Sequence, residues 1–350
     1  MTTPAPTRYR EAGVDIPKKY EAVQRALSAI RSSFTPGVVG DVGLFGGLFD
    51  PARAGCRDQV LVASADGVGT KLEVAKRARI HGTVGRDLVH HCINDILVQG
   101  ARPLFFLDYV AVGRMDPELV SELIRGCAEA CRENGLALLG GETAEMPGLY
   151  KPGDFDLAGF IVGAVAREKI LDGSRVRPGQ VLLGLPSSGL HTNGYSLARK
   201  ILFDEMKLSL SDRPPELGGV TVGESLLAVH RCYYKLLWPL VEKDQLAAMA
   251  HITGGGLVDN VPRILGAGDA RIDRSTWEVP PLFRFLCARG RVEPEEAYRV
   301  FNMGIGMVLV VDPAVEHDVL HDLEAQGERA VRIGAIEKRS EAEGQVRWSS

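Results

Sequence analysis

The stretch LFFLDYVAV, residues 104 to 112, constrains the fold more than any other part of this sequence. Its aromatic and β-branched residues, broken by a single charge, read as a buried strand. A helix follows from about Pro117 to Glu133, with proline at its start and Gly135 just past its end, as helix termini prefer. Strands at LALLG and LAGFIVGAVA come next, flanking GGETAEMPGLYKPGD, which reads as a loop. Upstream, residues 17 to 33 have helical spacing, with Val23, Leu27 and Ile30 on one side. A strand is predicted at about 59 to 65, and a helix over roughly 86 to 99 carries RDLVHHCINDILVQG.

A polar stretch with two glycines and a proline, REKILDGSRVRPGQ (167–180), separates this pattern from a second one. QVLLGLP leads into SSGLHTNG and a helix from about Tyr195 to Met206, and one longer helix is predicted across VGESLLAVHRCYYKLLWPLVEK. The remainder alternates: MAHITGGGLVDNVPRIL, RIDRST, IGMVLVVD, a helix at 313 to 326 and RAVRIGAIE suggest a sheet backed by helices. A chain of 350 residues exceeds what one hydrophobic core usually serves. The expectation is therefore an α/β (α+β type) protein of two domains, 1–170 and 171–350.

Composition excludes several functions. A formal net charge of −4 gives no electrostatic case for nucleic acid or an anionic membrane, so an anionic ligand must be met by a local site. The longest apolar runs, such as MVLVV at 307 to 311, fall far short of the roughly 20 residues a membrane helix needs. MTTPAPTRYR has no apolar core of the signal-peptide kind, and the expected compartment is cytoplasmic. Six cysteines without a CxxC pair read as reduced, with Cys127 and Cys131 four apart on one face of a helix, where buried packing is the expectation.

Glycine-rich turns cluster where the predicted strands end, which is where open α/β sheets place ligands. ADGVGTK (65–71) has neither the P-loop spacing nor GxGxxG. Its chemistry is nevertheless specific. Gly67 and Gly69 let backbone amides approach an anion, Thr70 adds a hydroxyl and Lys71 a positive charge, while Asp66 would repel phosphate unless a cation lay between them. The loop therefore asks for magnesium, and the second carboxylate it needs is best supplied by Asp95, set among apolar residues in CINDILVQG. Asp108, in the apolar strand, raises the same question with less force, and Glu142 offers an indirect ligand or a nucleotide contact. SSGLHTNG (187–194) brings Ser187, Ser188, Gly189, His191 and Asn193 to a helix start, an anion-binding arrangement in which His191 could stabilise charge on a transferred phosphoryl group. HITGGGLVDN (251–260) repeats the theme. The adjacent His90 and His91 do not face one another on a helix and so do not suggest a shared metal.

Taken in order, YREAGVDI, ADGVGTK, INDILVQGARPLFFLDY, GGETAEMPGLY, LAGFIVGAV, SSGLHTNGYSL, HITGGG and FNMGIGM resemble the motif series of the phosphoribosylformylglycinamidine cyclo-ligase family, the aminoimidazole ribonucleotide synthetases. The resemblance runs from Tyr9 to Met307. It implies ATP-dependent closure of formylglycinamidine ribonucleotide to aminoimidazole ribonucleotide, with release of ADP and phosphate. It further implies ATP and Mg2+ as cofactors and a homodimer in which the N-terminal sheets of two subunits join into a β-barrel, followed by a C-terminal α/β sandwich. Carried onto this chain, it assigns Asp66 and Asp95 to the metal, and Gly67, Gly69, Thr70, Lys71, Asn94 and Glu142 to the nucleotide. His191 and Lys71 are the implied catalytic groups, with Ser187, Ser188, Gly189 and Asn193 toward the substrate. The family's dense GG-x-GGFG segment is interrupted here by Asp41 and Leu44, leaving Gly43, Gly46 and Gly47 as the glycines offered to the nucleotide. A relative that phosphorylates another amide or carbamoyl oxygen, and a non-catalytic nucleotide-binding subunit, are the competing readings.

Overall fold

The computed structural model describes residues 16–39, 49–266, 268–340 and 345–349. Most of YREAGVDI, and Asp41, Gly43, Leu44, Gly46 and Gly47, lie outside the described residues. The chain divides into two compact units, residues 1–96 with 101–166, and residues 97–100 with 167–350.

In the first unit a four-stranded sheet runs in the order β1 (Val60–Gly67), β4 (Phe155–Val165), β2 (Arg102–Val112), β3 (Ala137–Glu145). β4 pairs antiparallel with both of its neighbours, and β2 pairs parallel with β3. A parallel pair requires a crossover, supplied here by α4 (Pro117–Asn134). Local sequence fixes both ends of that helix. Asp116 accepts from the backbone N–H groups of Glu118 and Leu119, and Gly135 closes the helix at a φ of 73°.

Pleating sends alternate residues to opposite faces. Val62, Ser64 and Asp66 of β1 lie in register with Ile161 and Gly159 of β4 and with Phe106 and Asp108 of β2, forming the face toward the helices. Leu61, Ala63 and Ala65 share the other face with Phe160, Val162, Leu107 and Tyr109. The sheet is open in the single chain, with β1 and β3 at its edges among the described residues.

Against the inner face lies α3 (Gly82–Leu97), which buries Leu88, Cys92, Ile93 and Ile96 completely. It meets α4 backbone to backbone. A Cβ on Gly85 would stand 2.4 Å from the Leu123 carbonyl oxygen, and one on Gly126 would stand 2.2 Å from that of Gly82. These contacts admit only glycine, and so set how closely the two helices cross. Cys127 and Cys131 are fully buried in this layer, in keeping with packing. α1 (Ile16–Ser32) buries Ala22, Ala26 and Ile30, with Val23 and Leu27 half-buried beside them. Its end is tied to β3 through Ser33, whose hydroxyl accepts from Leu138 N–H at 2.9 Å.

ADGVGTK is less of a loop than its glycines suggested. Ala65 to Gly67 finish β1, Gly69 to Lys71 make one 3-10 turn, and α2 (Leu72–Ala78) begins at once. GGETAE likewise belongs to β3, so Glu142 sits on a strand.

The second unit holds a six-stranded sheet in the order β10 (Val346–Ser349), β7 (Gly268–Asp273), β9 (Val331–Lys338), β5 (Val181–Pro186), β8 (Ile305–Val311), β6 (Ala248–His251). All pairings are antiparallel except β10 with β7. Every residue of β8 is buried, as its unbroken apolar run requires. One core joins Val181, Leu183 and Leu185 to Met307 and Leu309, and to Leu237 and Leu240 of α7 (Tyr234–Glu242).

Two predicted helices differ from what forms. The helix after SSGLHTNG is α-helical only over α5 (Tyr195–Arg199), then widens into a π turn over Lys200–Glu205. The single helix expected from 222 onward is broken into α6 (Val222–Leu227) and α7. Tertiary hydrogen bonds hold the break open. Arg231 and Tyr233 both donate to the Pro186 carbonyl, the latter at 2.8 Å, and Arg231 also pairs with the buried Glu328. Three bonds to two residues outside the segment, Pro186 and Glu328, outweigh the few backbone bonds that a continuous helix would add.

Within the first unit, Lys71 and Asp87 form an ion pair at 2.8 Å with both side chains fully buried. Removing one partner from such a pair strands the other charge. Lys71→Met is therefore expected to cost about 3 to 5 kcal/mol of stability. The Lys71→Met/Asp87→Leu double variant should recover much of that loss in denaturant titrations, whereas additive losses would contradict the pairing.

Candidate active site

In the first unit, the end of β1 and the last turns of α3 bring three ionisable groups together. His91 Nε2 lies 2.8 Å from Asp66 Oδ2 and 3.6 Å from Asp95 Oδ2. His91 and Asp95 are four apart on one helix, the spacing at which side chains meet. Ser64, two residues before Asp66 on the same face of β1, donates to Asp95 Oδ2 at 3.2 Å. The two carboxylates thus converge on one point, and the donor held there is an imidazole.

The charges reinforce this arrangement. Burial by itself would lower the His91 pKa, but the hydrogen bond to Asp66 and the charges of Asp95, Asp66 and Asp87 outweigh it, and the net shift is upward. The imidazole is almost fully buried, while the carboxylates of Asp66 and Asp95 keep 41% and 23% of their surface exposed. Two solvent-accessible oxygen donors facing one another suit a hard divalent cation. Asn94 is buried beside Asp95, whereas Gly69 and Thr70 are exposed on the 3-10 turn.

Lys71 and Glu142 stand elsewhere. Expected to reach a phosphate, Lys71 is turned inward to Asp87, because its ammonium finds a buried carboxylate on α3. Glu142 pairs in register with Tyr109, which places it on the opposite face of the sheet from Asp66 and Asp95. A single chain does not bring it to that cluster.

Asp108 lies across β4 from Asp66, both in register with Gly159 and hence about 10 Å apart. Burial raises its carboxyl pKa to about 7; a backbone hydrogen bond opposes the shift and the charge of Glu142 adds to it. A Cβ on Gly141 would stand 2.1 Å from its Oδ1, so the neighbouring strand needs glycine there. Burial likewise pushes the thiols of Cys92, Cys127 and Cys131 well up, which keeps them protonated and unreactive.

In the second unit, SSGLHTNG is clamped by Asn302 of FNMGIGM. The Asn302 Oδ1 accepts from Ser187 Oγ at 3.0 Å and Gly304 N at 2.9 Å, and its Nδ2 donates to the Gly189 carbonyl at 2.8 Å. His191 is held at a φ of 60°, a left-handed conformation costly for any residue but glycine. Its room comes from Gly306, where a Cβ would stand 2.6 Å from its Cε1. Backbone N–H of Ser188 donates to His191 Nε2 at 3.2 Å. An amide N–H is always a donor, so a neutral His191 carries its proton on Nδ1. Asn193 faces Gly254 of the GGG turn, and its buried Nδ2 has no hydrogen-bond partner among the described residues. His230 and His251 complete the cluster, with nitrogens of all three histidines within 4.8 Å of one another.

Two family models match the chain. The AIR synthase related protein N-terminal domain matches residues 50–165, and the corresponding C-terminal domain matches residues 177–347. The phosphoribosylformylglycinamidine cyclo-ligase of Lactobacillus delbrueckii subsp. bulgaricus is 47% identical over 337 residues, covering 96% of this chain and 97% of its own. That of Trichlorobacter lovleyi is 49% identical over 341 residues, covering 97% of each. This chain belongs to the phosphoribosylformylglycinamidine cyclo-ligase family.

Members of the cyclo-ligase family form C–N bonds, and this chain is an enzyme of that class. Its fold is shared more widely. A thiamine-monophosphate kinase from Stenotrophomonas maltophilia K279a superposes with a TM-score of 0.70 at 18% identity, covering 93% of this chain and 96% of the kinase. The hydrogenase maturation protein HypE in complex with ATP superposes at 0.63 with 18% identity, covering 94% and 90%. No helix among the described residues is long and apolar enough to cross a membrane.

Sequence reading missed His91, His230, His251 and Asn302 as site residues. His91 had a usable signal, since HHCIND sets it four residues before Asp95. His230 had none, because only the break between α6 and α7 turns it inward.

The raised pKa of Asp108 makes stability depend on pH. The folded state holds this proton more tightly than the unfolded one, whose carboxyl titrates near 3.8. Its contribution is complete below pH about 4 and is lost as pH rises through about 7. Asp108→Asn should therefore gain stability relative to the wild type between pH 5 and 8, on the order of 2 to 4 kcal/mol. Urea midpoints at the two pH values check this, and parallel shifts in both proteins would refute it.

Proposed function

We propose that this enzyme closes formylglycinamidine ribonucleotide to aminoimidazole ribonucleotide at the expense of ATP, releasing ADP and phosphate, within purine biosynthesis. The observation that carries the reading is near-complete coverage by relatives of that name at 47 to 49% identity, in a chain whose Asp66 and Asp95 carboxylates converge.

The chemistry accounts for the residues. An amide oxygen is a poor leaving group, so the formyl oxygen must first be phosphorylated. The amidine nitrogen then attacks the activated carbon, and the former formyl oxygen departs within inorganic phosphate. Such a sequence needs positioning and charge neutralisation more than a protein nucleophile. Asp66 and Asp95 would hold Mg2+ on the triphosphate, displacing His91 from between them. When bound, that ion supplies positive charge to the phosphates. The exposed Gly69–Thr70 turn and Asn94 are assigned to the nucleotide, while Lys71 serves by fixing the turn on α3. His191, as an Nδ1–H donor, is assigned to the oxygen that receives the phosphoryl group. Ser187, Ser188, Gly189 and Asn193 are assigned to the substrate, and the unpartnered Nδ2 of Asn193 supports its place.

A homodimer is part of the proposal. On the outer face of the first sheet, Leu61 is 57% exposed and Phe160 is 48% exposed, with Ala63 and Ala65 alongside. An apolar sheet face of this kind gains by covering, and a second copy joining there would complete the barrel that the single chain lacks.

Incubation with formylglycinamidine ribonucleotide, ATP and Mg2+ should yield ADP and aminoimidazole ribonucleotide in equal amounts; ADP without the ring product would sink the assignment. Asp66→Asn and Asp95→Asn should raise the magnesium requirement, and His191→Ala should lower kcat by roughly 100-fold with a smaller change in the KM for ATP. The double variant Leu61→Glu/Phe160→Glu should sediment as a monomer where the wild type sediments as a dimer, and equal masses would count against this face.

A further inference from the structure

Asn260 is only 1% exposed and packs against the TGGG turn, Thr253 to Gly256, in the second unit. Its amide meets that turn with both ends. Nδ2 donates to the carbonyls of Thr253, Gly254 and Gly256 at 3.4, 3.1 and 2.9 Å, and Oδ1 accepts from the Thr253 hydroxyl at 3.3 Å. The remaining carbonyl, that of Gly255, accepts from Asp259 N–H at 3.2 Å. Three carbonyl oxygens aimed at one point repel one another unless a donor stands there, and a primary amide is the neutral side chain that brings two N–H groups on one atom.

Glycines complete the fit. Gly255 and Gly256 take φ values of 96° and 59°, and a Cβ on Gly256 would stand 2.0 Å from the Tyr298 carbonyl oxygen. With that side closed, the turn presents Gly254 to Asn193. Among the described residues, a Cβ on Gly254 would meet only Asn193 within 4 Å, at 3.2 Å from its Oδ1. The other end of the same amide, Nδ2 of Asn193, is buried with no hydrogen-bond partner among the described residues. A buried donor left over in this way is set to receive an acceptor atom from a ligand.

We propose that Asn260 is a positioning residue for the substrate. By drawing three carbonyls of the TGGG turn inward it seats Gly254 against Asn193, and so fixes the direction in which Asn193 Nδ2 donates to a neutral oxygen, carbonyl or hydroxyl, of the bound substrate. The inference rests on the cyclo-ligase reading above, in which Asn193 belongs to the substrate. No charge changes and no bond is made or broken in this role, so its signature is in binding and not in the chemical step.

The test is a double-mutant cycle. Asn260→Asp keeps the shape and the acceptor for Thr253 but removes the donors. It should raise the KM for formylglycinamidine ribonucleotide roughly three- to tenfold, with smaller changes in kcat and in the KM for ATP. In an Asn193→Ala background the same substitution should add nothing, because the donor being aimed is gone. Gly254 lies outside the left-handed region, so Gly254→Ala suits the backbone and presses only on Asn193. It should raise the same KM, again only while Asn193 is present, and it carries the test if Asn260→Asp does not fold. Increases that multiply independently in the double variants would overturn the proposal, as would a fall in kcat with that KM unmoved. Asparagine-labelled protein, with five asparagines, gives a readout apart from turnover. The Nδ2 signals of Asn193, identified by their loss in Asn193→Ala, should move in Asn260→Asp and in Gly254→Ala, and unmoved signals in both would also overturn the proposal. If the wild type does not turn over formylglycinamidine ribonucleotide, the cyclo-ligase reading fails, and these signals still decide whether Asn260 positions Asn193.

Discussion

The buried ion pair between Lys71 and Asp87 anchors the first unit's site. It fastens the short turn after β1 to α3, and so ties β1, which carries Asp66, to the helix that carries His91 and Asp95. The pair is not a simple source of stability, because burial opposes the charged form of Lys71 and lowers its pKa, and the attraction of Asp87 offsets only part of that cost. Its value lies in position. A lysine whose charge must meet one particular carboxylate leaves the turn no alternative register against the helix.

The second unit reaches a comparable end by other means. Its site loops are held by neutral hydrogen bonds and by missing side chains. Asn302 uses both ends of its amide on the SSGLHTNG segment, and Gly306 leaves the space into which His191 and Tyr233 fit. The strain of His191 in a left-handed conformation is sustained by these surroundings. The break between α6 and α7 belongs to the same economy of contacts, since it delivers His230 and Tyr233 to the cluster while Arg231 and Tyr233 bond to Pro186.

Much of the framework was legible in advance. Pro117 and Gly135 bound a helix through local geometry, which needs no tertiary partner, and the buried strand at 104 to 112 announced itself through composition alone. GGETAE misled because glycines read as a turn, whereas Gly141 is there to admit the Asp108 carboxyl beside a strand. The helix across 222 to 243 misled because apolar periodicity does not register a hydrogen bond to a residue more than forty positions away.

By itself the sequence determined the alternation of strands and helices, the chemistry available in its turns, and the family to which the chain belongs, since all three are carried by short runs of residues. Tertiary structure alone decided which groups meet. It turned Lys71 inward, placed Glu142 across the sheet from Asp66, and set His91 between two carboxylates. The reason is physical. The direction of a side chain on a strand depends on register, and the partner of a buried charge depends on which other charge the packing has also removed from water.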